Sequence, residues 1–229
     1  MRDLKRAIDC GYVINTLFYC PEQDQSPNHS LQNIDVDTVY QVSPAILEKT
    51  SYRSTPSPIV AILNQKPLPN VDELNSDEAP LILGLVDLRK PGNIGALLRT
   101  ADATGFKHIF LIDTSLDLYN PNIIRSSTGA SFLNNIYSVT TDQALTFFNQ
   151  HNYSMISALV DGDTLLPDAT FAPPSAVILG TEDVGLNETW ENRCDIRVRI
   201  PMVGEVTDSF NVSVSGAMFM YEALRQSRW

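Results

Sequence analysis

Residues 81–101 read LILGLVDLRKPGNIGALLRTA, and this stretch decides the fold. The run Leu81–Val86 shows no polar alternation, the pattern of a strand buried on both faces in a parallel sheet. Glycines at 92 and 95 stand where that strand turns into a helix over Asn93 to Thr104. The spacing is not G-x-G-x-x-G, so a dinucleotide fold has no support. The same alternation continues outward. Strands are expected at His108–Ile112, Ile136–Val139, Tyr153–Leu159, Ala176–Leu179 and Val198–Ile200. Helices are expected over 121–127, 141–149 and about 210–226. The class is α/β with a mostly parallel sheet, and in such sheets ligands gather at the carboxyl ends of the strands.

Upstream, VDELNSDEAP (Val71–Pro80) is polar, acidic and proline-flanked, as a linker should be. It predicts a small unit over 1–66, a linker over 67–79 and a larger domain over 80–229. In the small unit Leu4, Ala7 and Ile8 mark one helical face, which Gly11 closes. Strands are expected at Val13–Tyr19, Val39–Val42 and Ile59–Leu63, with Ser43 as N-cap and Pro44 opening a helix. A helix at the very start means that the strand usually preceding it is expected to be missing.

The chain has 229 residues, 43% of them hydrophobic and 19% charged, enough for a sizeable core. No run of 18 apolar residues occurs, so no membrane span is expected, and the start lacks the apolar stretch of a secretory signal. Cys10, Cys20 and Cys194 are odd in number and without ligand spacing. His29, His108 and His151 are scattered. Neither a disulfide framework nor a metal site is expected, and the default compartment is the cytoplasm. The net charge of −11 opposes a long basic groove for nucleic acid. It leaves room for a local patch around Arg89, Lys90, Arg99 and Arg125.

Three segments place polar residues at strand ends where a core would exclude them: PGNIGALLRTA (91–101), ILGTEDVGL (178–186) and IPMVGEVTDSFNVSVSGA (200–217). Taken singly, each has a plain structural explanation. Asn93 can cap a helix, Arg99 can pair with an internal carboxylate, and Glu182 can cap a turn. Gly180 lets a ligand come close to the backbone. Ser209 or Asn211 can cap the last helix, where Ser213, Ser215 and Gly216 permit close packing against another backbone. No Ser-His-Asp triad can be assembled.

Together the three segments resemble, in order and interval, the motifs of the SpoU/TrmH group of SPOUT RNA 2'-O-ribose methyltransferases. Asn93-x5-Arg99 resembles the first motif, Gly180-x-Glu182-x2-Gly185 the second, and Ser209-x-Asn211-Val-Ser213 the third. The likeness covers about residues 80–226, and residues 1–66 are similar to an L30e-like RNA-binding domain. It implies a deep C-terminal trefoil knot, S-adenosylmethionine as cofactor and a homodimer acting on structured RNA, ribosomal or transfer. Arg99 then looks like the residue that activates the ribose hydroxyl, with Asn93, Glu182, Ser209 and Asn211 as its catalytic companions. Leu159, Gly180, Ile200, Met202 and Asn211 would hold the cofactor. Arg125 and Ser127, in RSSTGA, would join Arg99 in binding RNA. Phe210, the acidic loop Glu205–Asp208, Thr181 and Asp183 depart from the usual pattern. The alternative is a catalytically silent RNA-binding or ribosome-associated protein that keeps the fold.

Overall fold

The structure, a computed structural model, describes residues 2–24, 34–51, 57–133, 135–181 and 183–228. The chain divides into two units, residues 1–67 and 68–229. The first holds α1 (Arg2–Asp9), β1 (Ile14–Tyr19), β2 (Val36–Gln41), α2 (Pro44–Thr50) and β3 (Ile59–Leu63). Its sheet has the order β2-β1-β3, with β2 parallel and β3 antiparallel to β1. Ala7, Ile14, Leu17 and Leu47 form its core. Ser43 stands at the N-cap of α2 but makes no side-chain capping bond, leaving Pro44 to start the helix.

The second unit contains β4 (Leu81–Val86), α3 (Pro91–Thr104), β5 (His108–Ile112), α4 (Pro121–Ser127), β6 (Ile136–Val139), α5 (Thr141–Gln150) and β7 (Ser154–Ala158). There follow β8 (Thr164–Leu165), β9 (Ser175–Leu179), α6 (Glu188–Arg193), β10 (Ile196–Arg199) and α7 (Val212–Arg228). Seven strands lie in the order β6-β5-β4-β9-β7-β10-β8, and every pairing is parallel. Side-chain alternation divides the strands between two cores. Leu83, Leu85, Ile109, Leu111, Val177 and Leu179 pack with α3, α4 and α7. Ile82, Val86, Phe110, Ile112, Ala176 and Ile178 pack with α5 and Trp190 of α6.

The expected strands of this sheet are present, β4, β5 and β6 at the expected bounds and β7, β9 and β10 with shifted ends; β8 and α6 were not anticipated. β8 has only two residues, and ETWENR of α6 carries a single large apolar side chain, so neither gives a periodic signal. β2 begins at Val36, three residues before the expected Val39. Lys90 is the N-cap of α3, which leaves Asn93 in its first turn rather than at its cap. Asn211 accepts the backbone N–H of Ser213 at 3.0 Å, which satisfies one of the orphan donors at the start of α7. Phe219 of α7 is buried edge-on against Phe171, with centroids 6.2 Å apart.

Candidate active site

The order of the sheet changes direction beside β4. The chain runs outward through β5 and β6, then returns to fill the other side with β9 and β7. Ligand crevices form at such switch points because the loops leaving adjacent strand ends part there. The ends of β7, β9 and β10 and the start of α7 enclose a cavity of about 410 Å³, within the size range of small-molecule sites. Leu159 comes from the end of β7, Gly180 from β9, and Ile200 and Met202 from β10. Ser209 also lines it, from the loop into α7. Its walls combine apolar groups such as Leu179 and Phe219 with the carboxylates of Asp161, Asp183, Glu191 and Asp208.

At Gly180 the close approach that the structure shows is internal. A Cβ there would run into the backbone of Gly185 and Leu186. It is the protein's own turn that approaches: the amides and carbonyls of Thr181 and Gly185 bond reciprocally at 3.0 and 3.1 Å. Gly185 completes the turn at φ +73°, a left-handed conformation suited to glycine. Glu182, inside this turn, lies outside the described residues.

A second cleft, about 420 Å³, opens between α3 and α4 and is lined by Pro91, Gly92, Arg99, Asn122, Arg125, Ser126 and Thr128. Arg99 is exposed rather than buried, and no hydrogen bond or ion pair joins it to another described residue. The plain structural explanation, an internal carboxylate partner, therefore does not apply among the described residues: the arginine leaves the apolar stripe of α3 and faces the cleft. Arg125 is also exposed. Ser127 is a correction. It is fully buried, its hydroxyl donates to Ile124 and lies 3.2 Å from the Ser131 hydroxyl, and it accepts the amide of Ser131. Ser126, the neighbour, reaches the cleft instead.

The first turn of α3 connects the two clefts. Asn211 Nδ2 donates to Asn93 Oδ1 at 3.3 Å, tying α7 to α3. Lys90 Nζ lies 3.9 Å from Asp183 Oδ1 in the turn after β9. Asn211 thus stands between the helices and is not among the residues lining the cavity. α3 and α7 meet at Gly216, where a Cβ would strike Leu97 and come within 2.7 Å of Leu179. The close packing anticipated for Gly216 is thus against side chains, not another backbone.

The donor set suits a ligand with a flat heterocycle and a positive centre: apolar walls for the ring, carboxylates for the charge. S-adenosylmethionine has both, in its adenine and its sulfonium. Sequence reading missed Asp161 and Glu191 on the cavity wall, and Lys90 as the link to the turn. The clustering of Asp and Glu over 182–195 was the available signal. Among the described residues no group of three or more His, Cys, Asp or Glu is placed to hold a metal ion. No helix among them is long and apolar enough to cross a membrane.

Comparison with known proteins agrees with this geometry. The model of the SpoU rRNA methylase family matches residues 80–221, and that of the MRM3-like substrate binding domain matches residues 1–61. A 23S rRNA (uridine(2479)-2'-O)-methyltransferase of Streptomyces viridochromogenes is 27% identical over 99% of this chain and 81% of its own length. A crystal structure of an RNA 2'-O ribose methyltransferase superposes with a TM-score of 0.88 at 34% identity, covering 100% of this chain and 87% of that one. The SpoU methyltransferase AviRb of S. viridochromogenes, solved with AdoMet, gives 0.86 at 26% identity, with 99% and 88% covered.

Proposed function

The chain belongs to the SpoU rRNA methylase family, and from that premise we propose that it methylates a ribose 2'-hydroxyl of ribosomal RNA, with Arg99 as the residue acting on that hydroxyl. The observation that carries this reading is the first turn of α3, set between an acidic, half-apolar cavity and a cleft with two exposed arginines. The 23S rRNA named for the S. viridochromogenes relative supports ribosomal over transfer RNA. The substrate-binding match over residues 1–61 supports a role for the first unit in holding that RNA.

Leu159, Gly180, Ile200, Met202 and Ser209 would hold the cofactor, and Asp161, Asp183, Glu191 and Asp208 would offset its positive charge. S-adenosylmethionine, when bound, supplies an electrophilic methyl group. A ribose hydroxyl is a weak nucleophile until its proton leaves. The Arg99 guanidinium, without a described partner, is available to donate N–H bonds to that oxygen and stabilise the charge developing there. Arg125 on the facing helix binds the adjoining phosphate, a task its planar fork suits. Asn93 and Asn211 orient the first turn of α3 through their shared hydrogen bond. Glu182 belongs to the same proposed catalytic set.

Two further features belong to the same reading. Residues 159–163 pass over β10 between its two neighbours, which supports the knotted path implied by the likeness. Val214 and Tyr221 are 43% and 63% exposed on α7, and Met218 lies on the same face. That stripe supports an isologous dimer burying roughly 2,000 Å² or more in total. Sedimentation should then give twice the chain mass of 25.4 kDa. The test of function is transfer of labelled methyl from S-adenosylmethionine to purified ribosomal and transfer RNA, with mapping of the modified ribose. Incorporation into ribosomal RNA that disappears in Arg99→Ala is the expected result. Equal incorporation by wild type and variant overturns the assignment of Arg99.

A further inference from the structure

β10 is flanked by two strands joined by only five residues. Its Val198 pairs with Ala158 of β7 on one side and with Thr164 of β8 on the other. Residues 159–163 must therefore step over β10, crossing two interstrand spacings, about 9–10 Å. They lie flat against it. Leu159 N–H donates to Val198 O at 2.9 Å, and a Cβ on Gly162 would come within 2.6 Å of the Val198 carbonyl carbon and 2.8 Å of Arg199 N. The segment is a strap, and Gly162 is its point of closest approach.

From β10, beneath the strap, Arg197 grips it on both sides of that glycine. Nη2 lies 3.4 Å from Asp161 Oδ2, and Nε lies 3.5 Å from Asp163 Oδ2. The Arg197 side chain is 32% exposed, while the two aspartates are 78% and 81% exposed. The strap is also cavity wall: Leu159, Val160 and Asp161 all line the 410 Å³ site. Arg197 itself does not. Its two ion pairs thus join a strand of the sheet to the middle of a strap that backbone pairing anchors at its ends, through Leu159 and through Thr164 of β8.

We propose that Arg197 is a positioning residue for the cofactor. By holding Asp161 and Asp163 together across Gly162, it keeps residues 159–161 shaped as one side of the site before the cofactor arrives. The carboxylate of Asp161 is thereby fixed where it meets the positive charge of the ligand, instead of swinging into solvent. Pre-ordering of this kind strengthens binding by removing an ordering cost, and leaves the chemical step alone. The inference rests on reading the cavity as the S-adenosylmethionine site.

Calorimetric titration with S-adenosylmethionine should show Arg197→Met binding about three- to tenfold more weakly, the range for losing two largely exposed ion pairs. Arg197→Lys, which can keep one pair, should fall between. Asp163→Asn should weaken binding less than Arg197→Met, and the double variant should be no weaker than Arg197→Met alone. kcat at saturating cofactor should stay at the wild-type value. Without cofactor, hydrogen exchange in Arg197→Met should quicken at amides 160–163 and remain unchanged along β4, β9 and β7. Unchanged affinity and unchanged strap exchange in Arg197→Met overturn the proposal, as does exchange that quickens through the whole sheet. Failure of the wild type to bind S-adenosylmethionine would refute the cavity reading instead, and the exchange measurement would still decide whether Arg197 holds the strap.

Discussion

The two clefts beside α3 are built in opposite ways. The cavity at the strand ends is walled by turns and backbone, with Gly180 and Gly162 pressed onto neighbouring main chain, and its charged residues are acidic. The cleft between α3 and α4 is walled by helix side chains, and its charged residues are two arginines. A cationic cofactor and an anionic polymer require opposite fields, and the proposed function assigns them to different clefts. The net charge of −11 is therefore a poor guide to partners. The charge is also unevenly divided. Residues 1–67 carry six Lys or Arg against seven Asp or Glu, whereas residues 68–229 carry ten against twenty. The unit matched by a substrate-binding model is nearly neutral, which lessens its repulsion of phosphate.

This contrast can be broken most directly at Arg99. Arg99→Ala should lower turnover by about 10²- to 10³-fold, the cost of removing one transition-state donor. Cofactor affinity should stay within about twofold, since Arg99 is absent from the cavity wall. Loss of both together in single-turnover and calorimetric measurements would mean that the clefts are one site.

Gly180→Ala tests the other side. The added methyl meets the Gly185 backbone, so the turn must shift, and overpacking of this sort typically costs enough to weaken cofactor binding about tenfold. RNA binding, measured without cofactor, should be unaffected. Arg125→Ala should act more mildly and only on RNA. Its signature is a shallower dependence of log affinity on log salt, by about 0.7–0.9, the contribution of one phosphate contact. An unchanged slope would remove Arg125 from the RNA contacts.

The smallest expected effect lies in neither cleft. Tyr153 donates its hydroxyl to Ala79 O at 2.5 Å, and burial, helped by the nearby charge of Asp77, pushes its pKa up to about 12. The folded state therefore favours the protonated phenol. Its contribution is complete below pH 10, near the unfolded value, and is lost as pH rises toward 12. Chemical denaturation at pH 9 and pH 11 should show lower stability at the higher pH, and Tyr153→Phe should flatten that difference.

Much of the sheet was legible because buried parallel strands such as Leu81–Val86 and Ser175–Leu179 are almost unbroken apolar runs. Thr164–Leu165 was not, because a two-residue strand is defined by pairing with Val198 and Arg199 and not by its own pattern. At the site, Asn93 and Arg99 stood out as polar residues in an apolar helix. The state of Ser127 could not be read: a serine looks the same in sequence whether it meets RNA or Ser131. Arg197 was invisible for another reason. Its partners lie 36 and 34 positions earlier and become neighbours only when the strap crosses β10.

Gly95 shows what kind of reader the arginine cleft would be under the proposed function. A Cβ there would collide with Ser126 and come within 2.7 Å of the Ile123 carbonyl, so α3 and α4 touch with nothing compressible between them. Arg99 sits one turn beyond that contact on α3, and Arg125 immediately before it on α4. The helices thus act as the fixed jaws of a gauge, with only the arginine tips free to adjust. A strand whose phosphates fit the span would be held at little cost, and one that does not would have to bend its own backbone. Selection by such a device falls on the shape and pliancy of the RNA rather than on the identity of its bases.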